Sequence, residues 1–111
     1  MPPSPDAVVV LTTVATPDDG ASLIQALLAR RLVACGTMLP GARSLYRWEG
    51  RIADEAETVI LLKTRASHVP ALEAAFRELH PYEVPELLAL SPTAGLAEYV
   101  AWIHGETETR E

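Results

Sequence analysis

Cysteine is nearly absent from this sequence of 111 residues, in which Cys35 is the single example. One cysteine excludes a disulfide within the chain, and it also excludes the CxxC motifs of zinc and redox proteins. A lone cysteine in a strand is more often a small buried apolar residue than a ligand. We therefore expect no zinc or redox site built on cysteine.

Long apolar runs are also lacking. The longest aliphatic run near the N-terminus is AVVVL, residues 7–11, whereas a membrane-spanning helix needs about 20 apolar residues. The preceding MPPSPD has no basic residue, although a secretory signal places basic residues before its apolar segment. We expect a protein that does not associate with membranes and that resides in the cytoplasm.

Basic residues are outnumbered by acidic ones. The chain has 9 Lys and Arg against 15 Asp and Glu, and its formal net charge is −6 at pH 7. An acidic domain without a stripe of Lys and Arg repels phosphate backbones, so nucleic acid is not an expected partner. The same charge attracts cations, but only weakly unless a site gathers the carboxylates.

Catalytic motifs are missing as well. The sequence has no GxSxG, no P-loop and no Cys–His pair at a usable spacing. The segment after the first predicted strand, TTVATPDDG (residues 12–20), is acidic and lacks the arginine of an acylphosphatase phosphate loop. We therefore expect a protein that is not an enzyme and that requires no cofactor.

What the sequence does contain is an alternation of extended and helical segments. AVVVLTT (7–13) predicts a first strand, and a helix capped by Thr16 follows from Pro17. ACGTMLPG (34–41) predicts a second strand that ends at Pro-Gly. RSLYRWEGRI (43–52) then resumes the extended pattern, with a hairpin turn at Glu49-Gly50, and ETVILLKT (57–64) is the return strand.

The second half repeats the alternation. Ser67 is predicted to begin a second helix, which Pro81 ends because the residue before proline avoids the helical region. ELLALS (86–91) predicts a fourth strand, and a short helix follows. The expected apolar faces are Val69, Leu72, Phe76 and Leu79 in the second helix, and Leu96, Tyr99, Val100 and Ile103 in the last.

The order β-α-β-β-α-β plus a terminal helix predicts an α+β fold. With right-handed crossovers it gives a ferredoxin-like sandwich, in which an antiparallel sheet carries its helices on one face. We predict one domain over residues 1–111, with tails at 1–6 and 105–111, where the sequence is proline-rich and charged, respectively.

Two helices cover only one face of such a sheet, which leaves apolar residues without a partner. The long hairpin carries Leu45, Tyr46, Trp48 and Ile52 near its tip. These side chains either fold back onto their own domain or are buried by another chain. We favour the second interpretation, because aromatic residues are enriched at interfaces and exposed strand edges promote pairing. Edge-to-edge pairing around a three-fold axis removes every edge.

Four segments in order resemble the CutA family of divalent-cation-tolerance proteins: ARRLVACGTMLPGARSLYRWEGRI, ETVILLKT, LHPYEVPELLAL and YVAWI. The resemblance extends from about residue 8 to residue 103. It implies a ferredoxin-like subunit in a homotrimer that is similar in build to PII signalling proteins. It also implies a role in the response to divalent cations, copper among them.

The resemblance locates a copper site described for some members of the family. Its cysteine falls on Thr12, and its histidine pair falls on Leu79 and His80. Only His80 is retained, and neither threonine nor leucine is a ligand for a soft or borderline metal.

His80, Glu83 and Glu86 form the best candidate metal set, since imidazole and carboxylates together bind divalent ions. The alternative is that His80 caps the second helix while prolines shape the turn. Trp48, Glu49, Lys63 and Tyr82 are predicted to line a cleft between subunits that binds a small effector, as in PII-like trimers, or else to serve packing and an ion pair. A third hypothesis is a trimeric scaffold.

Overall fold

The computed structural model describes residues 6–109. These residues form four strands, three α-helices and one 3₁₀ turn. In chain order they are β1 (Val8–Val14), α1 (Pro17–Ala29), β2 (Cys35–Trp48), β3 (Arg51–Thr64), the 3₁₀ turn (Ala66–His68), α2 (Val69–Leu79), β4 (Leu88–Leu90) and α3 (Ala97–Glu106).

The four strands make one antiparallel sheet in the order β2-β3-β1-β4. This is the strand order that the βαββαβ connectivity of a ferredoxin-like sandwich requires, so the predicted α+β fold is confirmed. Strands β2 and β4 are the edges. Each arm of the β2–β3 hairpin has 14 residues and is therefore about 45 Å long, so the hairpin extends beyond the helices.

The core lies between the sheet and helices α1 and α2. In β1 and in residues 58–64 of β3 every second residue points into it, which gives the alternating burial of a sheet with one covered face, whereas residues 51–56 of β3 lie in the outer part of the hairpin and are not buried. The predicted apolar face of α2 is confirmed by the burial of Leu72 and Phe76. The core comprises Val8, Val10, Val14, Leu23, Ile24, Leu27, Val33, Ile60, Leu62, Leu72, Ala75 and Phe76.

Local signals are confirmed at the start of α1 and at the hairpin turn. The hydroxyl oxygen of Thr16 accepts a hydrogen bond from the backbone N–H of Asp19 at 3.1 Å, which caps the helix before Pro17. Glu49 and Gly50 both have positive φ, 48° and 76°. Two such residues form the type I′ turn that suits the twist of a two-residue hairpin.

The second strand differs from its prediction, because it continues through Pro40 and Gly41 instead of ending there. The chain absorbs these residues as a bulge between Leu39 and Ala42, where the register with β3 shifts. Strand β2 is an edge strand, so the missing N–H of Pro40 removes no interior ladder bond. Gly41 takes a φ of 81° without a steric penalty.

The start of α2, both ends of the fourth strand and one helix face were also predicted wrongly. Ser67 lies in the 3₁₀ turn, and α2 begins only at Val69. The fourth strand is three residues long. On α3 only Ile103 is buried and Val100 partly so, whereas Leu96 and Tyr99 are exposed.

The predicted C-terminal tail begins too early. Helix α3 continues through Glu106, and Thr107 is fully buried. The Thr107 hydroxyl accepts a hydrogen bond from Nε of Arg65 at 3.0 Å. The predicted N-terminal tail, 1–6, and residues 110–111 lie outside the described residues, apart from the exposed Asp6.

Helices α1 and α2 leave most of the second face of the sheet uncovered, although α3 contacts β3 and packs Ile103 against Ala7 and Ala34 near the start of β1. Cross-strand partners share a face, and on this side β1 and β4 pair Val9 with Leu90 and Leu11 with Leu88. We call this surface the open face; its apolar residues are Val9, Leu11, Leu39, Val59, Leu61, Leu88 and Leu90. Leu39, Leu88 and Leu90 are exposed, and the others are half-buried.

Among residues 6–109, no helix combines the length and the apolar character that crossing a membrane requires.

Candidate functional site

A cavity of about 730 Å³ lies between the long hairpin and the segment that joins α2 to β4. Its volume is within the range of small-molecule sites. The hairpin supplies one wall, and residues 81–86 supply much of the other. The lining residues are Thr13, Ala15, Ser44, Leu45, Tyr46, Trp48, Glu55, Ala56, Glu57, Pro81, Tyr82, Glu83, Val84 and Glu86.

The charge of the cavity is negative. Four glutamates line it, Glu55, Glu57, Glu83 and Glu86, and no Lys or Arg within the described range 6–109 does. Burial raises the pKa of Glu86, and the neighbouring charge of Glu57 adds to the increase. An anionic ligand would add a further negative charge here, so the lining favours cations or uncharged groups.

Glu57 and Tyr82 join the two walls. The Tyr82 hydroxyl donates a hydrogen bond of 2.6 Å to Oε2 of Glu57, whose residue is only 7% exposed. Burial raises the pKa of Tyr82, and so do the hydrogen bond to Glu57 and that carboxylate's charge. The phenol is therefore a fixed donor, and it satisfies a carboxylate that would otherwise be buried without a partner.

His80 is buried directly behind this pair, at 7% exposure. Its Nδ1 accepts a hydrogen bond of 3.1 Å from the backbone N–H of Tyr82. A nitrogen that accepts carries no proton, so the hydrogen of the neutral ring is on Nε2. That Nε2 lies 3.1 Å from the backbone oxygen of Thr13 and 3.2 Å from Oγ1 of Thr12.

The environment of His80 favours its neutral form. Burial lowers the pKa of the imidazole, although the hydrogen bond to Thr13 and the charge of Glu57 act in the opposite direction. The ring also lies between two aromatic side chains, with its centroid 5.4 Å from that of Phe76 and 5.1 Å from that of Tyr82.

A single chain does not form the predicted metal set. Within residues 6–109, no three His, Cys, Asp or Glu side chains are close enough to hold one ion. Both nitrogens of His80 have protein partners, whereas Glu83 and Glu86 line the cavity. His80 does cap the C-terminal end of α2, as the alternative interpretation predicted, but it does so through its backbone N–H, which donates a hydrogen bond of 2.9 Å to the oxygen of Phe76.

The copper-site positions implied by the family resemblance do come together in part. Thr12 contacts His80, while Leu79 is half-buried and packs against the core. The position of the family's cysteine is therefore beside the histidine, but here a buried hydroxyl stands in place of the thiol.

The predicted cleft set divides between two places. Trp48 and Tyr82 line the cavity, whereas Glu49 lies in the hairpin turn outside the lining. Lys63 is 12 residues along β3 from Arg51, the partner of Trp48, which corresponds to about 40 Å. Its Nζ donates a hydrogen bond of 2.9 Å to Thr37 and lies 3.7 Å from Sγ of Cys35.

The residues predicted for the trimer interface are all exposed in one chain. Leu45 and Ile52 are 62% and 72% exposed, and Tyr46 and Trp48 are also largely accessible. Register places Tyr46 and Trp48 on the same side of the sheet as the open face, and Leu45 and Ile52 on the other side. An uncovered face was expected, but its apolar residues in β1, β3 and β4 were not predicted, although apolar residues at both alternating positions of β1 and β3 were their signal.

Comparison with known proteins shows which family this chain resembles. A family model described as CutA1 divalent ion tolerance protein matches residues 8–106. The chain is similar to the divalent-cation tolerance protein CutA of Pectobacterium atrosepticum, with 46% identity over 101 residues that cover 89% of this chain and 90% of the relative. The protein of the same description from Citrobacter koseri is 45% identical over 100 residues, which cover 90% and 87% of the two chains.

Solved structures of CutA proteins superpose closely on this chain. CutA from Xylella fastidiosa superposes with a TM-score of 0.89 at 39% identity, covering 93% of this chain and 99% of that one. CutA1 from Oryza sativa gives 0.90 at 33% identity, covering 96% and 98%.

Proposed function

Because the chain belongs to the CutA1 divalent ion tolerance family, we propose that it takes part in divalent-cation tolerance as a homotrimer and catalyses no reaction. The proposed compartment is the cytoplasm, where an unpaired cysteine such as Cys35 stays reduced.

The observation that supports the assembly is the open face. It is an apolar surface on a sheet whose other face is covered by helices α1 and α2 except along the outer part of the hairpin, and it ends at two open edges. Contiguous apolar surface and unpaired edges of this kind are typical of association sites. A second and a third copy of the chain would remove both from water.

Three-fold closure suits the edges better than a dimer does. A two-fold axis pairs identical surfaces, so it joins β2 to β2 or β4 to β4 and leaves the other edges open. A ring in which β4 of one chain meets β2 of the next leaves no edge unpaired. In such a ring, the hairpin residues Leu45, Tyr46, Trp48 and Ile52 would lie against neighbouring chains.

A pair of matched variants tests the surface. We expect Leu88→Glu to break the assembly, because it places a charge on the open face. We expect Leu28→Glu to leave the assembly intact, because Leu28 is an exposed residue of α1 on the covered side. Sedimentation velocity distinguishes the two outcomes. Equal sedimentation coefficients for both variants would contradict the proposed interface.

Oxygen donors are the groups that would meet a divalent cation. Glu83 and Glu86 line the cavity, and a neighbouring chain would have to complete their coordination because residues 6–109 of one chain gather no ion site. Carboxylates suit hard cations, whereas copper prefers nitrogen and sulfur ligands. His80 takes no part in this proposal, since both of its nitrogens have partners.

Isothermal titration with Mn²⁺, Zn²⁺ and Cu²⁺ tests the cation proposal. We expect the wild type and His80→Gln to bind with similar affinity, and a Glu83→Gln/Glu86→Gln variant to bind at least tenfold more weakly. No heat of binding for any ion by the wild type would contradict it.

The size of the cavity supports a second candidate, a binding module for a small effector. The four glutamates argue against an anionic effector. Titration with nucleotides is the matching experiment, and we expect no binding.

A further inference from the structure

The segment between α2 and β4 lacks regular secondary structure and nevertheless forms one wall of the cavity. We call residues 81–87 the wall loop. It is followed by the three-residue strand β4, so few ladder bonds hold it. Leu87 packs against the core and fixes the end of the loop, whereas the position of its start depends on side-chain contacts around Tyr82.

His80 supplies the first of these contacts. One side of its ring is anchored to β1 through Nε2, and the other side accepts the N–H of Tyr82 through Nδ1. The imidazole thus links β1 to the N–H of Tyr82. This is the first backbone N–H of the wall loop, because residue 81 is proline and has none. The second contact is the hydrogen bond from the Tyr82 hydroxyl to Glu57 on β3.

This arrangement tolerates only a neutral ring. The lone pair of Nδ1 is the one place where the imidazole can accept a proton. A proton there would face the N–H of Tyr82, and two donors would oppose each other. The ring cannot be protonated while the contact with the wall loop persists.

The other groups around the ring do not favour its protonated form strongly enough to offset the effect of burial. From β3, the charge of Glu57 favours a protonated ring, and from β1 the backbone oxygen of Thr13 does so as well. Phe76 from α2 and Thr12 from β1 carry no charge, and the Tyr82 phenol is neutral. Burial outweighs the two favourable effects, because the pKa of His80 is lowered.

We propose that His80 is a pH-sensitive latch, whose neutral ring holds the wall loop against Glu57 and whose protonation releases the loop and opens that side of the cavity. Release would also free the chain that leads into the edge strand β4. Because one proton is taken up on opening, the open population rises as much as tenfold for each pH unit below the ordinary range of histidine.

Amide hydrogen exchange measured by NMR, from about pH 7.5 to about pH 4.5, tests the latch. Protection factors remove the intrinsic pH dependence of exchange. We expect the protection of the Tyr82 amide, whose N–H donates to His80, to fall up to tenfold per pH unit, while Leu27 in α1 keeps its protection. Unchanged protection of Tyr82 while the His80 ring takes up its proton would overturn the proposal.

His80→Gln is the matched variant. Its amide oxygen can accept from Tyr82, its amide nitrogen can donate to Thr13, and it does not titrate. We expect protection at neutral pH to be retained and its decrease on acidification to be lost. A decrease equal to that of the wild type would overturn the proposal.

Ring ¹⁵N shifts of the wild type give a measurement that needs no variant. We expect the hydrogen of His80 to be on Nε2 at neutral pH. A hydrogen on Nδ1 at neutral pH would overturn the latch, whatever the fate of the variant.

Discussion

At the scale of single residues, His80 shows how far sequence reasoning reaches. Its position after a helix and beside glutamates predicted a ligand or a cap, and both interpretations used only near neighbours. The groups that fix its role, Thr12 and Thr13, lie 68 and 67 residues away. Composition and spacing do not reveal which buried atoms a ring nitrogen meets across the fold. The family resemblance brought Thr12 and His80 into one set, which the contact between them bears out.

Tyr82 provides a prediction at this scale. Among the described residues, Tyr82 is the one side chain that donates a hydrogen bond to the Glu57 carboxylate, so Tyr82→Phe leaves this buried group without that partner. We expect a loss of about 2 kcal/mol in the free energy of unfolding. Chemical denaturation at a fixed protein concentration measures it.

Tyr99→Phe is the matched control, because Tyr99 is exposed and stacks on Trp102. We expect a change within about 0.5 kcal/mol. Equal losses in the two variants would contradict the role assigned to the Tyr82 hydroxyl.

At the scale of elements, prediction succeeded where local chemistry decides. Thr16 and Pro17 fixed the start of α1, and Glu49-Gly50 fixed the hairpin turn, because capping and turn conformation depend on adjacent residues. It failed where tertiary contacts decide. Pro40 is tolerated because it lies in a bulge of β2, which is an edge strand within one chain.

The packing of α1 on β2 gives a prediction for these elements. A Cβ on Gly36 would lie 2.7–2.9 Å from side-chain carbons of Ile24, whereas one on Gly105 in α3 meets nothing within 4 Å. We expect Gly36→Ala to destabilise the fold by about 1–3 kcal/mol through overpacking. We expect Gly105→Ala to be neutral or stabilising by up to about 1 kcal/mol.

Thermal unfolding at equal protein concentration compares the two variants, since association makes the midpoint concentration-dependent. A Gly36→Ala protein as stable as the wild type would show that the helix can move away from the sheet.

At the scale of the whole molecule, the strand order was predictable and the full extent of the apolar surface was not. Alternation and crossover rules lead from the segment order to one sheet. The continuous apolar residues of β1 indicated a strand covered on at least one face. Only the register shows that β4 and β3 extend this surface through Leu88, Leu90 and Leu61. An uncovered face of this kind is the central reason to expect association.

The native mass of the wild-type chain tests that claim most directly. A homotrimer of the 12.0 kDa chain has a mass of about 36 kDa. We expect native mass spectrometry and light scattering to give this value at micromolar concentration. A mass of one chain or of two would contradict the account, because the open face and the edges β2 and β4 would then lack the partners that the trimer supplies.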